Sequence, residues 1–137
     1  TENLLAVHAA LECAEIECRD FAHCLKEADD QSLVYFDPPY RPISKTASFT
    51  GYIKNGFADE EQIRLKGVCD KLTQIGAKVI LSNSDPKNID HNDHFFDDLF
   101  KHNYEIKRLA ATRMINCNAE RRGTIKEILV RNYALKD

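Results

Sequence analysis

The chain has few glycines, and none of them are spaced for holding a nucleotide. Only five of its 137 residues are glycine, and no two of these are separated by a single residue, so no G-x-G turn can be written. No apolar run is long enough to cross a membrane or to form the core of a signal peptide. These absences exclude a glycine-rich nucleotide turn within the 137 residues, and we expect a cytoplasmic location with no membrane partner.

An excess of positive charge is also missing. The 19 lysines and arginines are outnumbered by 22 aspartates and glutamates, which gives a formal net charge of −3. A protein that binds DNA by itself neutralises phosphates with a basic surface. We therefore expect most of any affinity for nucleic acid to come from residues outside this chain.

The candidate metal ligands form no recognisable site. The five cysteines are odd in number and contain no C-x-x-C pair, so we expect free thiols and no zinc. A cluster of His91, Asp93, His94, Asp97 and Asp98 also carries ligand side chains. We interpret it as a short helix, capped by Asp93, whose aromatic residues pack inward, and we expect no metal there.

The pattern of apolar residues predicts alternating helices and strands. Helices are predicted over residues 3–13 and 20–28, and a third begins at Asp59 as its cap, with Gln62 at the third position, and is ended by Gly76. A short extended piece is predicted at 16–18, with apolar strands at 32–36 and 78–81. Because a helix joins the two apolar strands, they should be parallel neighbours, with Asp37 and residues 82–85 at one carboxyl edge. Residues 104–109 and 125–132 predict an antiparallel pair. The fold class is therefore α/β.

The most informative residues are Asp37-Pro38-Pro39-Tyr40, directly after the first apolar strand. Two successive prolines fix φ and remove two N–H donors, so this turn should be rigid and present its carbonyl groups. The Asp37 carboxylate and the Pro38 carbonyl can accept both hydrogens of an exocyclic amine, which exposes its lone pair for attack on a methyl sulfonium. Tyr40 offers a ring on which an extruded base can stack. The alternative is an ordinary turn after a buried strand.

Residues 37–52 resemble the Dam-type, class D12 N6-adenine DNA methyltransferases, and so do residues 79–85, 113–118 and 128–133. The resemblance implies a Rossmann-like, S-adenosylmethionine-dependent methyltransferase fold with parallel strands and a C-terminal antiparallel hairpin. It implies site-specific methyl transfer from S-adenosylmethionine to N6 of adenine in duplex DNA. The family's glycine-rich turn and target-recognition segment are not found here. Residues 1–137 are therefore expected to be the C-terminal part of a catalytic domain, truncated or proteolysed and inactive alone.

The resemblance also implies roles for individual residues. Asp37, Pro38, Pro39 and Tyr40 form the catalytic motif, and Asp37 also lies beside the S-adenosylmethionine. An Asp-Phe step upstream, here Asp20 and Phe21, borders the adenine of the cofactor, although helix capping by Asp20 is an equal alternative. Together with Tyr40, the residues that would contact DNA are Ser44, Lys45, Thr46, Phe49, Tyr52 and Arg113. An ordinary exposed loop and a solvated hairpin end are the alternatives for these.

Two other functions stay open. One is an RNA or other amine methyltransferase that shares the motif, and the other is a non-catalytic interaction module. The resemblance further implies that the strand before Asp37 lies beside a first strand that is not found in this chain. An uncovered sheet edge is then expected, through which the chain would associate with a second copy or be poorly stable.

Overall fold

The computed structural model describes residues 2–41, 57–112 and 124–134, and these build a single mixed sheet. Its strands are β1 (Leu33–Phe36), β2 (Lys78–Ser84), β3 (Glu105–Thr112) and β4 (Thr124–Arg131), in the spatial order β1-β2-β4-β3. β1 and β2 are parallel, whereas β4 is antiparallel to both of its neighbours. The predicted α/β class is confirmed, with its parallel pair and its C-terminal antiparallel pair, and the sheet is consistent with an S-adenosylmethionine-dependent methyltransferase fold.

The described residues also form three α-helices and two short 3-10 helices, of which the first of each kind precedes β1. They are α1 (Glu2–Leu11), a 3-10 helix (Phe21–Lys26), α2 (Asp59–Gln74), a second 3-10 helix (Pro86–Asn88) and α3 (Phe95–Leu99). α2 forms the connection between β1 and β2 and ends before Gly76, whose φ of 91° needs a residue without a side chain. Within the described residues, no helix has the length and apolar character needed to cross a membrane.

One face of the sheet carries the core. Phe36, Val79, Leu81, Ile128 and Val130 alternate along their strands and pack with apolar residues of α2 and α3, namely Leu65, Val68, Cys69, Leu72, Phe96 and Phe100. The opposite face is more open at β1, where Leu33 is 60% exposed and Tyr35 is 57% exposed.

The prediction of a buried first strand was therefore wrong in part. β1 is parallel as expected, but only Phe36 is buried, because within the described residues β1 pairs with β2 alone. Its apolar run was typical of a strand covered on both faces. The described part of the chain covers only one face of β1.

Several local predictions also need correction. The predicted helix at 20–28 is a 3-10 helix, and residues 16–18 pair with no strand. α2 is preceded by Ala58, so Asp59 is its first residue rather than its cap. α1 forms as predicted, although none of its residues is buried. The N-cap position of α3 is His94 rather than the predicted Asp93, although Asp93 Oδ1 accepts a hydrogen bond of 3.0 Å from the Phe95 N–H.

The exposed edge of β1 predicts self-association of the isolated chain. A free strand edge with apolar neighbours is a template for pairing with a second copy. We expect light scattering to detect dimers or larger species, and Leu33→Lys to lower their fraction because it places a charge beside that edge. Ile63→Lys, at an exposed apolar position on α2 away from both sheet edges, is the matched control and should leave the fraction unchanged. A monodisperse monomer for the unmutated chain would contradict the prediction.

Candidate functional site

The Asp37-Pro38-Pro39-Tyr40 segment leaves the sheet at the carboxyl end of β1, with the Asp37 side chain exposed to solvent. Ser82 Oγ donates a hydrogen bond of 2.9 Å to Asp37 Oδ1, and the Tyr35 hydroxyl donates to Ser82 Oγ at 3.0 Å. Ser82 is on β2, which confirms that these residues meet at one edge of the sheet. The two hydroxyl groups hold the carboxylate in a fixed direction, since hydrogen bonds to an ionised acceptor are the stronger ones.

A cavity of about 260 Å³ opens beside this carboxylate. The eight residues that line it are Phe21, Tyr35, Phe36, Asp37, Pro38, Pro39, Phe57 and Leu65. The ring of Phe21 meets that of Phe57 edge to face, with 5.9 Å between their centroids. The structure thus brings together two residues predicted to border the cofactor, Phe21 and Asp37. The walls are apolar and aromatic with one carboxylate, which is a common composition for a ligand site.

Asp20 has a different set of contacts from its neighbour Phe21. Its Oδ1 accepts a hydrogen bond of 2.9 Å from the Ala22 N–H, which caps the first 3-10 helix, and another from Arg64 at 2.5 Å. The Arg64 bond, followed by that from Ala22, holds the pKa of Asp20 below its usual value. The Arg64 guanidinium also lies 4.2 Å from the centre of the Phe21 ring. Asp20 therefore caps the 3-10 helix, as the alternative prediction had it. It also binds Arg64, which contacts the Phe21 ring and so helps to hold Phe21 at the cavity.

Tyr40 is partly buried at the end of the motif. Burial, together with the negative charge of Glu127 on β4 and that of Asp37, raises the pKa of its hydroxyl group. The phenol therefore stays protonated and uncharged around neutral pH. An uncharged ring is the form best suited to stacking on a nucleobase.

Arg41 anchors the far end of the motif, a role that the sequence analysis missed. Its backbone N–H donates to Asn83 Oδ1 at 3.0 Å. Its guanidinium pairs with Asp59 at 2.6 Å and with Asp93 at 2.7 Å, and it lies 4.3 Å from the centre of the Phe95 ring. One side chain thus ties the motif to the start of α2 and to α3. The signal available in the sequence was the position of this arginine, directly after a turn whose prolines have no N–H groups for holding it in place.

The end of β2 is polar and buried. Asn83 and Asp85 are both 0% exposed. Asp85 accepts a hydrogen bond of 2.9 Å from Arg108 Nε on β3, and Arg108 also pairs with Asp97 at 2.8 Å. Buried polar side chains need such partners because desolvation alone is unfavourable. The sequence signal was the run Ser-Asn-Ser-Asp directly after an apolar strand.

The residues predicted to contact DNA beyond Tyr40 lie outside the described residues. They are Ser44, Lys45, Thr46, Phe49, Tyr52 and Arg113. Their predicted roles stay predictions. The described site consists of the motif, the cavity that it borders and the buried side chains that hold it.

Comparison with known proteins agrees with this architecture. A family described as D12 class N6 adenine-specific DNA methyltransferase matches residues 1–115. The chain is 44% identical over 133 residues to the type II methyltransferase M.MjaIII of Methanocaldococcus jannaschii, covering 96% of this chain and 44% of that protein. It is 40% identical over 114 residues to the type II methyltransferase M1.LlaDCHI of Lactococcus lactis subsp. cremoris, covering 83% of this chain and 37% of that protein.

A third relative is the DNA N-6-adenine-methyltransferase of Escherichia phage P1. The chain is 33% identical to it over 116 residues, which cover 85% of this chain and 15% of that protein. The chain therefore spans less than half the length of each of these curated relatives.

The anchoring by Arg41 predicts a loss of stability that depends on pH. Arg41→Met keeps most of the side-chain volume but leaves Asp93 partly buried without its cation, so unfolding free energy at pH 7 should fall by roughly 1–3 kcal/mol. Burial alone would raise the pKa of Asp93, but hydrogen bonds from the Phe95 N–H and from Arg41 lower it overall. That stabilisation is present above the unfolded pKa of about 3.9 and is lost as pH falls through the folded pKa.

Urea unfolding at pH 7 and pH 3 measures this difference. The loss caused by Arg41→Met should be smaller at pH 3, where Asp93 begins to protonate. Arg64→Met is the matched control, because the Arg64 side chain is 42% exposed whereas that of Arg41 is 18% exposed. A smaller loss is expected for it at pH 7. Equal losses for both variants would argue against the anchoring role.

Proposed function

Since the chain belongs to the D12 class of N6 adenine-specific DNA methyltransferases, we propose that it supplies the catalytic motif for methyl transfer to N6 of adenine in duplex DNA. The observation that supports this best is the exposed Asp37 carboxylate, held by Ser82 at the carboxyl edge of the sheet and beside a cavity. Because the relatives are more than twice as long, the proposal concerns the complete natural polypeptide that contains this sequence. In it, these residues form the C-terminal, motif-bearing part of the catalytic domain.

The motif has the acceptors that the amine needs. The lone pair of N6 is drawn into the adenine ring, so the nitrogen is a weak nucleophile. The Asp37 carboxylate and the Pro38 carbonyl accept its two hydrogens, which favours tetrahedral geometry at nitrogen and directs the lone pair outward. Among the described residues, no hydrogen bond involves the Pro38 carbonyl, whereas the Pro39 carbonyl accepts one from Gln62. The N6–methyl bond would form as the methyl–sulfur bond of the donor breaks and leaves a neutral thioether, and Asp37 would take the surplus proton from nitrogen.

A methyltransferase requires a methyl donor, and we propose S-adenosylmethionine. When bound, it supplies an electrophilic methyl group on a sulfonium sulfur. The cavity of about 260 Å³ fits a part of such a molecule, since its aromatic walls suit a flat purine and its single carboxylate suits a polar or cationic group. Phe21, Phe57 and Asp37 would hold it.

Tyr40 is proposed to stack on the extruded adenine. Extrusion of a base loses stacking energy on the order of a few kcal/mol, and an aromatic side chain replaces part of it. The uncharged state of Tyr40 suits this role. The polar residues 44–46 with Phe49, Tyr52 and Arg113 are proposed to contact the DNA. The type II names of two relatives favour a role in restriction and modification.

The catalytic role of Asp37 is tested by Asp37→Ala in the complete polypeptide. The turnover number for transfer of radiolabelled methyl groups to unmethylated duplex DNA should fall by about 10² to 10⁴-fold. KM should change much less, because the carboxylate acts on the nitrogen in the transition state. Asp98→Ala, which removes an exposed carboxylate from α3, is the matched control and should retain full turnover.

Unchanged turnover in Asp37→Ala would remove Asp37 from the catalytic role. The same assay with single-stranded RNA in place of duplex DNA separates the proposal from its main alternative. Methylation of RNA at a higher kcat/KM than duplex DNA would show that the chain belongs to an RNA-modifying enzyme. Absence of transfer to either substrate, with the cofactor bound, would favour the non-catalytic module.

A further inference from the structure

Two buried amide side chains connect the core to the motif. Gln62 on α2 is 2% exposed and Asn83 on β2 is 0% exposed. Gln62 Nε2 donates to the Pro39 carbonyl at 3.3 Å, and Gln62 Oε1 accepts from Asn83 Nδ2 at 3.3 Å. Asn83 Oδ1 in turn accepts the backbone N–H groups of Arg41 at 3.0 Å and Ser84 at 2.9 Å. None of these contacts belongs to the chemistry described above.

The direction of each hydrogen bond in this amide relay is fixed by the backbone. Two N–H donors reach Asn83 from Arg41 and Ser84, so its oxygen must face them and its nitrogen must face Gln62. Gln62 must then present its oxygen to Asn83 and its nitrogen to the Pro39 carbonyl. An amide with only one of these two partners would leave a buried polar atom unsatisfied.

Each proline ring fixes φ but leaves ψ open, and the relay acts on the ψ of Pro39. The ring of Pro39 fixes its φ, and the bond from Gln62 fixes the direction in which the Pro39 carbonyl points. The hydrogen bond from Arg41 to Asn83 holds the next peptide group. With both fixed, the peptide plane that carries the Pro38 carbonyl has little freedom to rotate.

We propose that Gln62 is a positioning residue, which occupies the Pro39 carbonyl and so holds the Pro38 carbonyl toward the amine. This inference rests on the proposed function. Gln62 makes no contact with the reacting atoms in this proposal and acts only through the motif. Preorganisation of this kind matters because a displacement of about 1 Å at a reacting group can cost on the order of 10²-fold in rate.

The surroundings of Gln62 make its replacement by an acid informative. The charged groups on the elements that meet there are Arg41, which pairs with both Asp59 and Asp93, and Asp37 and Asp85 after the ends of β1 and β2. Asp85 is paired with Arg108. A glutamate at this buried position would therefore find no free cation among them. Ionised, it cannot donate to the Pro39 carbonyl and repels it, whereas protonated it donates an O–H to the same acceptor.

The test is the pH dependence of turnover in Gln62→Glu, measured in the complete polypeptide relative to the unmutated enzyme at each pH. At pH 9.5, where even a buried glutamate is ionised, the turnover number should be at least about tenfold lower, with KM for DNA nearly unchanged. The ratio should rise toward one as pH falls to 5.5. Gln74→Glu, an exposed position at the other end of α2, is the matched control and should stay near one throughout.

A second variant separates the loss of the hydrogen-bond donor from a general failure to fold. Gln62→Met has a similar volume and no donor, so its turnover should be low at every pH, without recovery in acid. Full turnover in Gln62→Met at any pH, or in Gln62→Glu at pH 9.5, would overturn the proposal. So would a Gln62→Glu protein that binds cofactor normally but stays impaired at pH 5.5. Should Gln62→Glu not fold, a folded Gln62→Met with reduced turnover and unchanged KM supports the proposal.

Hydrogen exchange separates this inference from the proposed function. If the unmutated enzyme methylates no adenine, the proposed function is wrong, and the positioning role is decided by exchange of the amide hydrogens of Tyr40 and Arg41, followed by mass spectrometry. Faster exchange in Gln62→Met, which has no donor at any pH, than in Gln74→Glu supports the relay. Equal exchange in these two variants overturns it.

Discussion

Two consecutive prolines remove two of the motif's four backbone N–H donors, and the rest of the site depends on this constraint. A turn that lacks two N–H groups cannot be held by a strand ladder or by its own hydrogen bonds. Its carbonyl groups still require partners or substrate. In this chain the holding groups are side chains from neighbouring elements, with Ser82 on Asp37, Gln62 on Pro39 and Asn83 on Arg41.

The different lengths of the two parallel strands make those side chains available. The β1 ladder ends at Phe36, opposite Leu81, whereas β2 continues for three more residues that pair only with β4. Among the described residues, no residue of β1 is therefore the ladder partner of residues 82–84. Polar side chains at this point can face the motif while their backbone remains satisfied on the other side. A longer β1 would have removed this space.

The sequence predicted the elements well where one signal was sufficient. The apolar run before Asp37, the helical spacing of α2 and Gly76 at its end led to the parallel pair, and hydrophobic alternation led to the hairpin. The exposure of β1 was not predictable in this way, because a short apolar run has the same sequence pattern whether one or both faces of the strand are covered. The 3-10 geometry of residues 21–26 was likewise hidden, since its spacing resembles that of an α-helix.

The site was predictable in its chemistry but not in its support. The chemistry of Asp37 and the prolines can be inferred from four consecutive residues. Gln62 instead contacts Pro39, 23 residues away in the sequence, and Asn83 contacts Gln62, 21 residues away. Gln62 was instead interpreted as part of a helix cap, a local role that its position in the first turn of α2 allowed. Only the tertiary contact shows that its amide faces inward.

The constraint also explains why a rigid turn is preferable to a strand at this position. In a strand, the Pro38 carbonyl would point toward the neighbouring strand and accept a hydrogen bond from one of its N–H groups. Outside a strand, an ordinary loop would leave it free but mobile, and the entropy of fixing it would be lost during each catalytic cycle. Prolines combined with buried amides satisfy both requirements, because they fix the backbone before substrate arrives and leave one carbonyl unpaired among the described contacts.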